Sequence, residues 1–399
     1  MYLINELPLH GQPLDPRDAE TLSVQGADAV QQVLALRENS QPTPLVSLPG
    51  LAAELGLASL HVKDEGRRLG LGSFKALGGA YALMRLVQDE AEKRLGRAVA
   101  PSELMSDEIR AIAATMTFAC ATDGNHGRSV AQGAQVMGAN AVIFVHSGVS
   151  QGRIDAIASF GARMIRVDGN YDDSVAEASR VAGENGWTVL SDTSWPGYEY
   201  IPGLVAQGYT AIVREALAEL PEPPTHVFLQ AGVGGFAGAV AGHLAVVLGD
   251  RRPHVTVVDP ARAACLYESA RAGKPVKVDE SQSTVMAMLE CYEPSMVAFR
   301  ILERVADGFM TVDEEDALDV MRRLAQPVAG DPAIVAGESG GAGLAGVIAA
   351  LKDAELAARI GLGPEARVWV VNTEGATDPA VYAGIIGKTP EAVLAEAAA

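Results

Sequence analysis

Basic residues are in short supply: 31 lysines and arginines stand against 50 aspartates and glutamates, for a net charge of −19. A nucleic-acid partner needs a basic face to meet phosphate, so that class is set aside. The acidic balance reads as a solvated surface that also draws in cationic substrates. Cysteine is scarce too. Cys120, Cys265 and Cys291 are odd in number and lack metal-type spacing, so no disulfide framework is implied. Whether Cys265 and Cys291 meet in space is left open. The seven histidines are scattered without HxH or HxxxH spacing, which leaves no metal site to expect. No apolar run reaches the roughly 18 residues of a membrane span. The start, MYLINELPLHGQPLDPRD, lacks the basic head and apolar stretch of a signal peptide. A cytoplasmic protein with no membrane partner is expected. Internal repeats and low-complexity tracts are missing as well.

What is present is ordered. With 48% apolar and 20% charged residues the chain is an ordinary globular one. Its 399 residues exceed the roughly 250–300 at which one core gives way to domains, so two are expected. From 117 to 192, short apolar runs (TFACAT, NAVIFV, ARMIRVD, WTVLSD) alternate with amphipathic stretches (HGRSVAQGAQVMG, QGRIDAIASFG, DSVAEASRVAGENG). That alternation predicts a parallel sheet with right-handed crossovers. A second series follows: a helix over 201–219, the strand HVFLQA, a helix over 236–248, the strand HVTVVD, the small-residue helix GAGLAGVIAALK and the strand RVWVVN. The expected fold is α/β, with two domains that each carry a mainly parallel open sheet flanked by helices. Ligands then belong at the carboxyl ends of strands. The polar interval 88–111 reads as a pair of exposed helices inserted before the first series.

Four strand-end loops and one lysine carry candidate chemistry. QAGVGGFAG, 230–238, lies between a strand and a helix; clustered glycines let backbone N–H groups close on an anion, and the helix start adds partial positive charge. Gly232, Gly234 and Ala237 also satisfy G-x-G-x-x-A, with Asp259 ending the next strand, which keeps a nicotinamide-dependent dehydrogenase in view. TDGNHG, 122–127, gathers Asp123, Asn125 and His126 at a strand end, although Asp-Gly-Asn is also good turn chemistry. SDTSWPGYEYIP brings Asp192, which serves a ligand or caps a helix, and VVNTEGATDP brings Thr373 and Asp378, which serve a ligand or build a turn. Finally, LGLGSFKALGGAYALM holds one charge, Lys75. If a helix spans 74–85, Lys75 lies at its start, where the helix dipole disfavours a cation and favours a neutral, nucleophilic amine. A lysine snorkelling to water is the competing reading.

Taken in order, these motifs resemble the fold-type II pyridoxal phosphate enzymes, the superfamily of threonine dehydratase and the tryptophan synthase β-subunit. The matching residues are Ser73, Phe74 and Lys75; Gly124, Asn125 and His126; Gly232 to Phe236; and Thr373, so the likeness runs from about residue 40 to 380. Within that superfamily, ATDGNHGR with Asp123, DGNYDD, DTSWPGYEYIP, PTHVFLQAGVG, GESG and TEGATD resemble the diaminopropionate ammonia-lyases. That family removes both amino groups of either enantiomer of 2,3-diaminopropionate, giving pyruvate and two ammonia.

The resemblance implies roles. Lys75 holds the cofactor as a Schiff base and then serves as base at Cα. Gly232, Val233, Gly234, Gly235 and Phe236 hold the phosphate, Asn125 the ring hydroxyl and Thr373 the ring nitrogen, with Phe74 completing the cofactor set. Thr122, Asp123, Gly124, His126 and Asp192 face the substrate; Asp123 and Asp192 share the tasks of second base and ammonium partner. No metal enters. It further implies a homodimer, a large cofactor-binding domain of 1–85 with 203–399, and a small domain of 86–202. A serine or threonine dehydratase on the same fold stays open as the alternative, because the segment MAMLECYEPS is where substrate-specific variation is expected.

Overall fold

Short runs rich in valine and other apolar residues form the strands: β1 (Tyr2–Ile4), β2 (Leu45–Ser47), β3 (Ser59–Asp64), β4 (Thr117–Ala121), β5 (Asn140–His146), β6 (Arg163–Val167), β7 (Thr188–Val189), β8 (His226–Gln230), β9 (His254–Pro260), β10 (Gly308–Val312) and β11 (Arg367–Asn372). The computed structural model describes residues 1–122, 124–328 and 330–397. The chain divides into two compact units, one of Met1–Val24, Pro42–Arg67 and Ile212–Ala399, the other of Gln25–Gln41 and Arg68–Ala211.

The larger unit holds a seven-stranded sheet in the order β1-β10-β9-β8-β11-β3-β2. Its five inner strands are parallel, and the edges β1 and β2 pair antiparallel. From β8 the chain steps outward through β9 to β10, while β11 returns to the other side of β8. The order therefore reverses between β8 and β11, the crevice where open α/β sheets bind ligands. The core beneath collects Val62, Phe228, Val258, Val312, Val368 and Val370 with the helix Ala342–Leu351. Small residues bring that helix close to the sheet: a Cβ at Gly343 would stand 2.6 Å from the carbonyl oxygen of Phe228.

The smaller unit holds the parallel sheet β6-β5-β4-β7, whose order reverses between β4 and β7. Ala119, Val142, Phe144, Ala178 and Ala182 fill its core. No helix among the described residues is long and apolar enough to cross a membrane.

Three expectations need correcting. The interval 88–111 is not an inserted helix pair: its first part is the far half of one helix, Lys75–Leu95, followed by a short turn and the helix Asp107–Ala113. Apolar spacing continues through Val87 and Ala91, both fully buried, so the helix keeps a core face beyond residue 85. The stretch 201–219 is two helices, Tyr200–Gly208 and Thr210–Glu219, and just before the break Gly208 comes so close to Gly78 that a Cβ there would stand 2.9 Å from the Gly78 Cα. The units also divide at other residues than 85/86 and 202/203. The helix Lys75–Leu95 lies whole within the smaller unit, held by its packing against the helices Asn125–Met137 and Tyr200–Gly208.

Buried imidazoles give the larger unit a predictable acid sensitivity. His226 donates from Nε2 to the Ile360 carbonyl at 2.8 Å, and its ring lies 5.6 Å from that of His254, whose Nε2 is 3.0 Å from the Tyr2 hydroxyl. Burial pulls His254 down to about 4, and pulls His226 and His243 below their ordinary value. In the unfolded chain they titrate near the ordinary value of about 6.5. Below that pH the unfolded state binds protons the folded state excludes, so stability falls as pH drops from about 6.5 towards 4. Melting temperature followed across this window should decline, and His254→Asn should make the decline shallower; an unchanged slope would contradict this assignment.

Candidate active site

In the smaller unit the chemistry gathers at the β4/β7 switch point. Lys75 is the first residue of the helix Lys75–Leu95, after Phe74 at the N-cap, which makes no side-chain cap. The glycines that follow are crossing points. A Cβ at Gly78 would stand 2.7 Å from the Tyr209 ring, and one at Gly79 2.9 Å from Ser129 Oγ. Two arginines tie the segment down: Arg37 Nη1 donates to the Ala76 carbonyl at 2.8 Å, and Arg128 Nη1 to that of Leu71 at 3.0 Å. The start of this helix is therefore rigid, and Lys75 projects from a fixed base.

Its amine forms an ion pair with Asp192, in the loop after β7. The loop is itself braced. Tyr198 Oη accepts from the Ser191 N–H at 3.0 Å and donates to the Val189 carbonyl at 2.9 Å, while Trp195 stacks on the Tyr198 ring at 4.2 Å. Sequence placed Lys75 where a helix dipole opposes a cation; the Asp192 carboxylate supplies the opposing charge, and the Lys75 side chain keeps 23% exposure. Burial pushes the Asp192 carboxyl up, but the Lys75 ammonium and the hydrogen bonds to the carboxylate together hold the group well below the usual carboxylate range. His126 lies beside the pair, and burial pulls its imidazole below the ordinary value. Nε2 donates to the Leu190 carbonyl at 3.1 Å, which fixes the tautomer. The bare Nδ1 then lies 3.9 Å from Asp192, without a hydrogen-bond partner among the described residues.

Asn125 is buried at the first turn of the helix Asn125–Met137, with Gly124 at its N-cap. Thr122 uses its oxygen to shape that loop, accepting from the N–H groups of Gly124 and Gly127, both at 3.1 Å. Asp123 lies outside the described residues. Tyr209 was passed over in the sequence, where it reads as one apolar position in a helix. Its ring meets Phe74 edge-on at 4.8 Å, and its buried hydroxyl has no partner among the described residues. Lys75 Nζ lies 5.8 Å from the centre of the Phe74 ring.

In the larger unit two loops adjoin at the β8/β11 switch point. After β8, Gly234 adopts the left-handed φ of +93° and serves as N-cap for the helix Gly235–Leu248 without a side-chain cap. A Cβ at Gly234 would also stand 2.9 Å from Leu266, so the position demands glycine. The N–H groups of Gly232, Val233, Gly234 and Gly235 have no protein acceptor among the described residues, while the Val233 carbonyl accepts from the Ser295 N–H at 2.9 Å. Phe236 is buried in the first turn. Free N–H groups ahead of an uncapped helix are a cradle for an anion. Cys265 and Cys291 lie beside Gly232 and form no disulfide; Cys265 Sγ reaches the Gly232 carbonyl at 3.4 Å.

After β11, Thr373 is buried, with its N–H on the Gly340 carbonyl at 3.1 Å and its hydroxyl oxygen accepting from Gln230 Nε2 at 2.9 Å. Asp378 takes no part: it caps the helix Pro379–Ile386 through the Val381 N–H at 3.3 Å. Asp259 corrects the dehydrogenase reading. Its Oδ2 accepts from the N–H groups of Leu266 and Tyr267, both at 2.9 Å, and burial pushes the carboxyl up to about 8. A buried, neutral, helix-capping acid cannot serve as the ionised ribose partner of a dinucleotide site.

Known proteins resemble this chain along most of its length. Residues 36–378 match the family model described as "Pyridoxal-phosphate dependent enzyme". A diaminopropionate ammonia-lyase from Escherichia coli (strain K12) is 41% identical over 362 residues, which is 88% of this chain and 89% of that one. One from Salmonella typhimurium (strain LT2) is 38% identical over 92% of this chain and 93% of its own length. The solved E. coli enzyme in complex with D-serine superposes with a TM-score of 0.88 at 36% identity, covering 98% of each chain.

Proposed function

Because this chain belongs to the pyridoxal-phosphate dependent enzymes, and within them to the diaminopropionate ammonia-lyases, we propose that it splits 2,3-diaminopropionate, with one water, into pyruvate and two ammonia. The observation that carries this reading is the amine of Lys75, fixed at a helix start and paired with an ionised Asp192.

The residues present suit pyridoxal phosphate on their own chemistry. Unclaimed N–H groups at Gly232, Val233, Gly234 and Gly235 match a phosphate dianion, with Phe236 beside them. Thr373 offers a buried hydroxyl for the ring nitrogen, and Asn125 a carboxamide for the ring hydroxyl. Lys75 offers the amine that an aldehyde needs, bordered by Phe74. Ser73, two residues before it, buries an Oγ with no partner among the described residues. When bound, the cofactor supplies an electron sink for the pair left behind as Cα loses its proton.

The chain's own groups do the rest. Lys75 Nζ takes the Cα proton on its face of the substrate. Asp192, ionised and half-buried, suits the second ammonium of the substrate, and keeping that nitrogen protonated makes it a leaving group. Asp123 would take the Cα proton from the opposite face, which accounts for use of both enantiomers. Thr122 and Gly124 shape the loop that presents Asp123, and the bare Nδ1 of His126 accepts from an ammonium held at Asp192. Loss of the β-nitrogen leaves 2-aminoacrylate, which hydrolyses after release to pyruvate and the second ammonia.

A dehydratase acting on serine or threonine is the second reading, favoured by the D-serine bound in the related E. coli structure. Initial rates with both enantiomers of diaminopropionate and of serine, with pyruvate and ammonia measured together, separate the two. The proposal expects the higher kcat/KM for diaminopropionate and two ammonia per pyruvate. Faster turnover of serine, with one ammonia per pyruvate, would overturn it. The same reading carries a homodimer in the cytoplasm; sedimentation at assay concentration tests the dimer, and a monomer there would remove it.

A further inference from the structure

Gln230 closes β8 and is 1% exposed, next to the site but outside every role above. Its Nε2 stands 2.7 Å from the Gly340 carbonyl oxygen, 3.0 Å from that of Val371, 3.4 Å from that of Ser339 and 2.9 Å from Thr373 Oγ1. Carbonyl oxygens only accept, so three of them around one atom require that atom to be the amide nitrogen. Turning the amide over would set Oε1 against all three. The helix Ala342–Leu351 holds the group in place: a Cβ at Gly343 would stand 2.8 Å from Oε1. Oε1 has no partner among the described residues, so the nitrogen side alone selects this orientation.

The consequence falls on Thr373. An amide nitrogen has no lone pair to accept with, so Thr373 Oγ1 accepts from Gln230 and never donates to it. The hydroxyl proton of Thr373 has no acceptor among the described residues. We propose that Gln230 is a positioning residue: by making Thr373 Oγ1 an acceptor, it leaves the hydroxyl proton as a donor to the ring nitrogen of the bound cofactor and keeps that nitrogen unprotonated. This rests on the reading that Thr373 faces the ring. A hydroxyl free to rotate could accept from a protonated ring or donate to a neutral one; Gln230 occupies one of the two Oγ1 lone pairs and offers the hydroxyl proton no acceptor, which favours the second.

The test uses holoenzyme without substrate, reconstituted with cofactor labelled with 15N in the ring, and reads the nitrogen chemical shift and the cofactor dissociation constant. Wild type is expected to show a hydrogen-bonded, unprotonated nitrogen across neutral pH. Gln230→Met removes the donor that orients the Thr373 hydroxyl and releases the Gly340 and Val371 carbonyls from Nε2, so the hydroxyl no longer holds its proton towards the ring. The shift should move to that of a nitrogen without a donor, and the dissociation constant should rise ~5–10-fold, as expected for one lost hydrogen bond. Gln230→Glu, buried among carbonyls and therefore protonated, has one proton where the amide has two. That proton goes to the nearest carbonyl, Thr373 donates to the acid, and the ring signal should move as in the Met variant. This second variant keeps the side-chain shape should the first fail to fold. Thr373→Val must move the signal too. If Thr373→Val leaves it unchanged, Thr373 does not face the ring and the underlying reading fails. If Thr373→Val moves it while the folded Gln230 variants keep the wild-type shift, or if the wild-type nitrogen is protonated, the role of Gln230 is overturned and the placement of Thr373 stands.

Discussion

Lys75→Ala is expected to lower turnover of both diaminopropionate enantiomers by ~10³-fold or more, since it removes the amine proposed to serve as both attachment point and general base. The visible absorbance of lysine-bound cofactor should vanish as well, while the N–H groups after β8 still hold phosphate. Lys63 is the internal control. It is the more deeply buried lysine, fully enclosed, yet its ammonium is spent on Glu215 at 2.7 Å. Burial alone therefore does not mark the reactive lysine. Lys75 differs in keeping 23% exposure and in pairing with a carboxylate that sits at a sheet switch point. A Lys75→Ala enzyme with visible absorbance and turnover intact would move the attachment site elsewhere.

Asp192→Asn is the second large effect, expected to cost ~10²–10⁴-fold in kcat/KM for both enantiomers. The substitution keeps the shape and removes the charge that faces the Lys75 amine and, in the proposed reaction, the substrate ammonium. A pH profile distinguishes this from a folding defect. Lys75 and the hydrogen bonds to the Asp192 carboxylate hold it well below the usual range against the opposing effect of burial, so Asp192 stays ionised throughout the assay range and contributes no limb to the wild-type profile. Without it, Lys75 loses the charge that favours its ammonium, so any limb belonging to that amine should move to lower pH. An unmoved profile with full activity would remove Asp192 from the chemistry. Asp123→Asn makes a sharper split: turnover of the D-enantiomer should fall far more than that of the L-enantiomer, and equal losses would end its assignment as second base.

Much of this was legible because strand-to-helix loops advertise themselves. QAGVGGFAG carries its own backbone requirement, and the structure places the left-handed glycine at Gly234 with an uncapped helix behind it. RVWVVN is a strand over the same six residues, since an unbroken apolar run that is buried on both faces has little freedom at its ends. What escaped is what depends on distant partners. β3 ends in Lys63 and Asp64, charges that break an apolar reading, yet both are buried because Glu215 and Asn372 meet them from far along the chain. The close approach of Gly208 to Gly78, about 130 residues apart, is likewise signalled by no local pattern. Asp259 reads as a ribose acid locally and turns out to cap a helix. Gln230 lies within the strand read as HVFLQA, and only the carbonyls of Gly340 and Val371 show why an amide stands there. The Asp192 partnership with Lys75, 117 residues away, likewise follows from the order of strands rather than from spacing.

The most direct test of the account is to reduce the cofactor-loaded enzyme with borohydride, digest it and locate the pyridoxyl adduct by mass spectrometry. The account predicts the adduct on Lys75, stoichiometric with the chain and lost when diaminopropionate is turned over during reduction. An adduct on Lys63 or on any other lysine, or none at all on enzyme that turns over diaminopropionate, would contradict it.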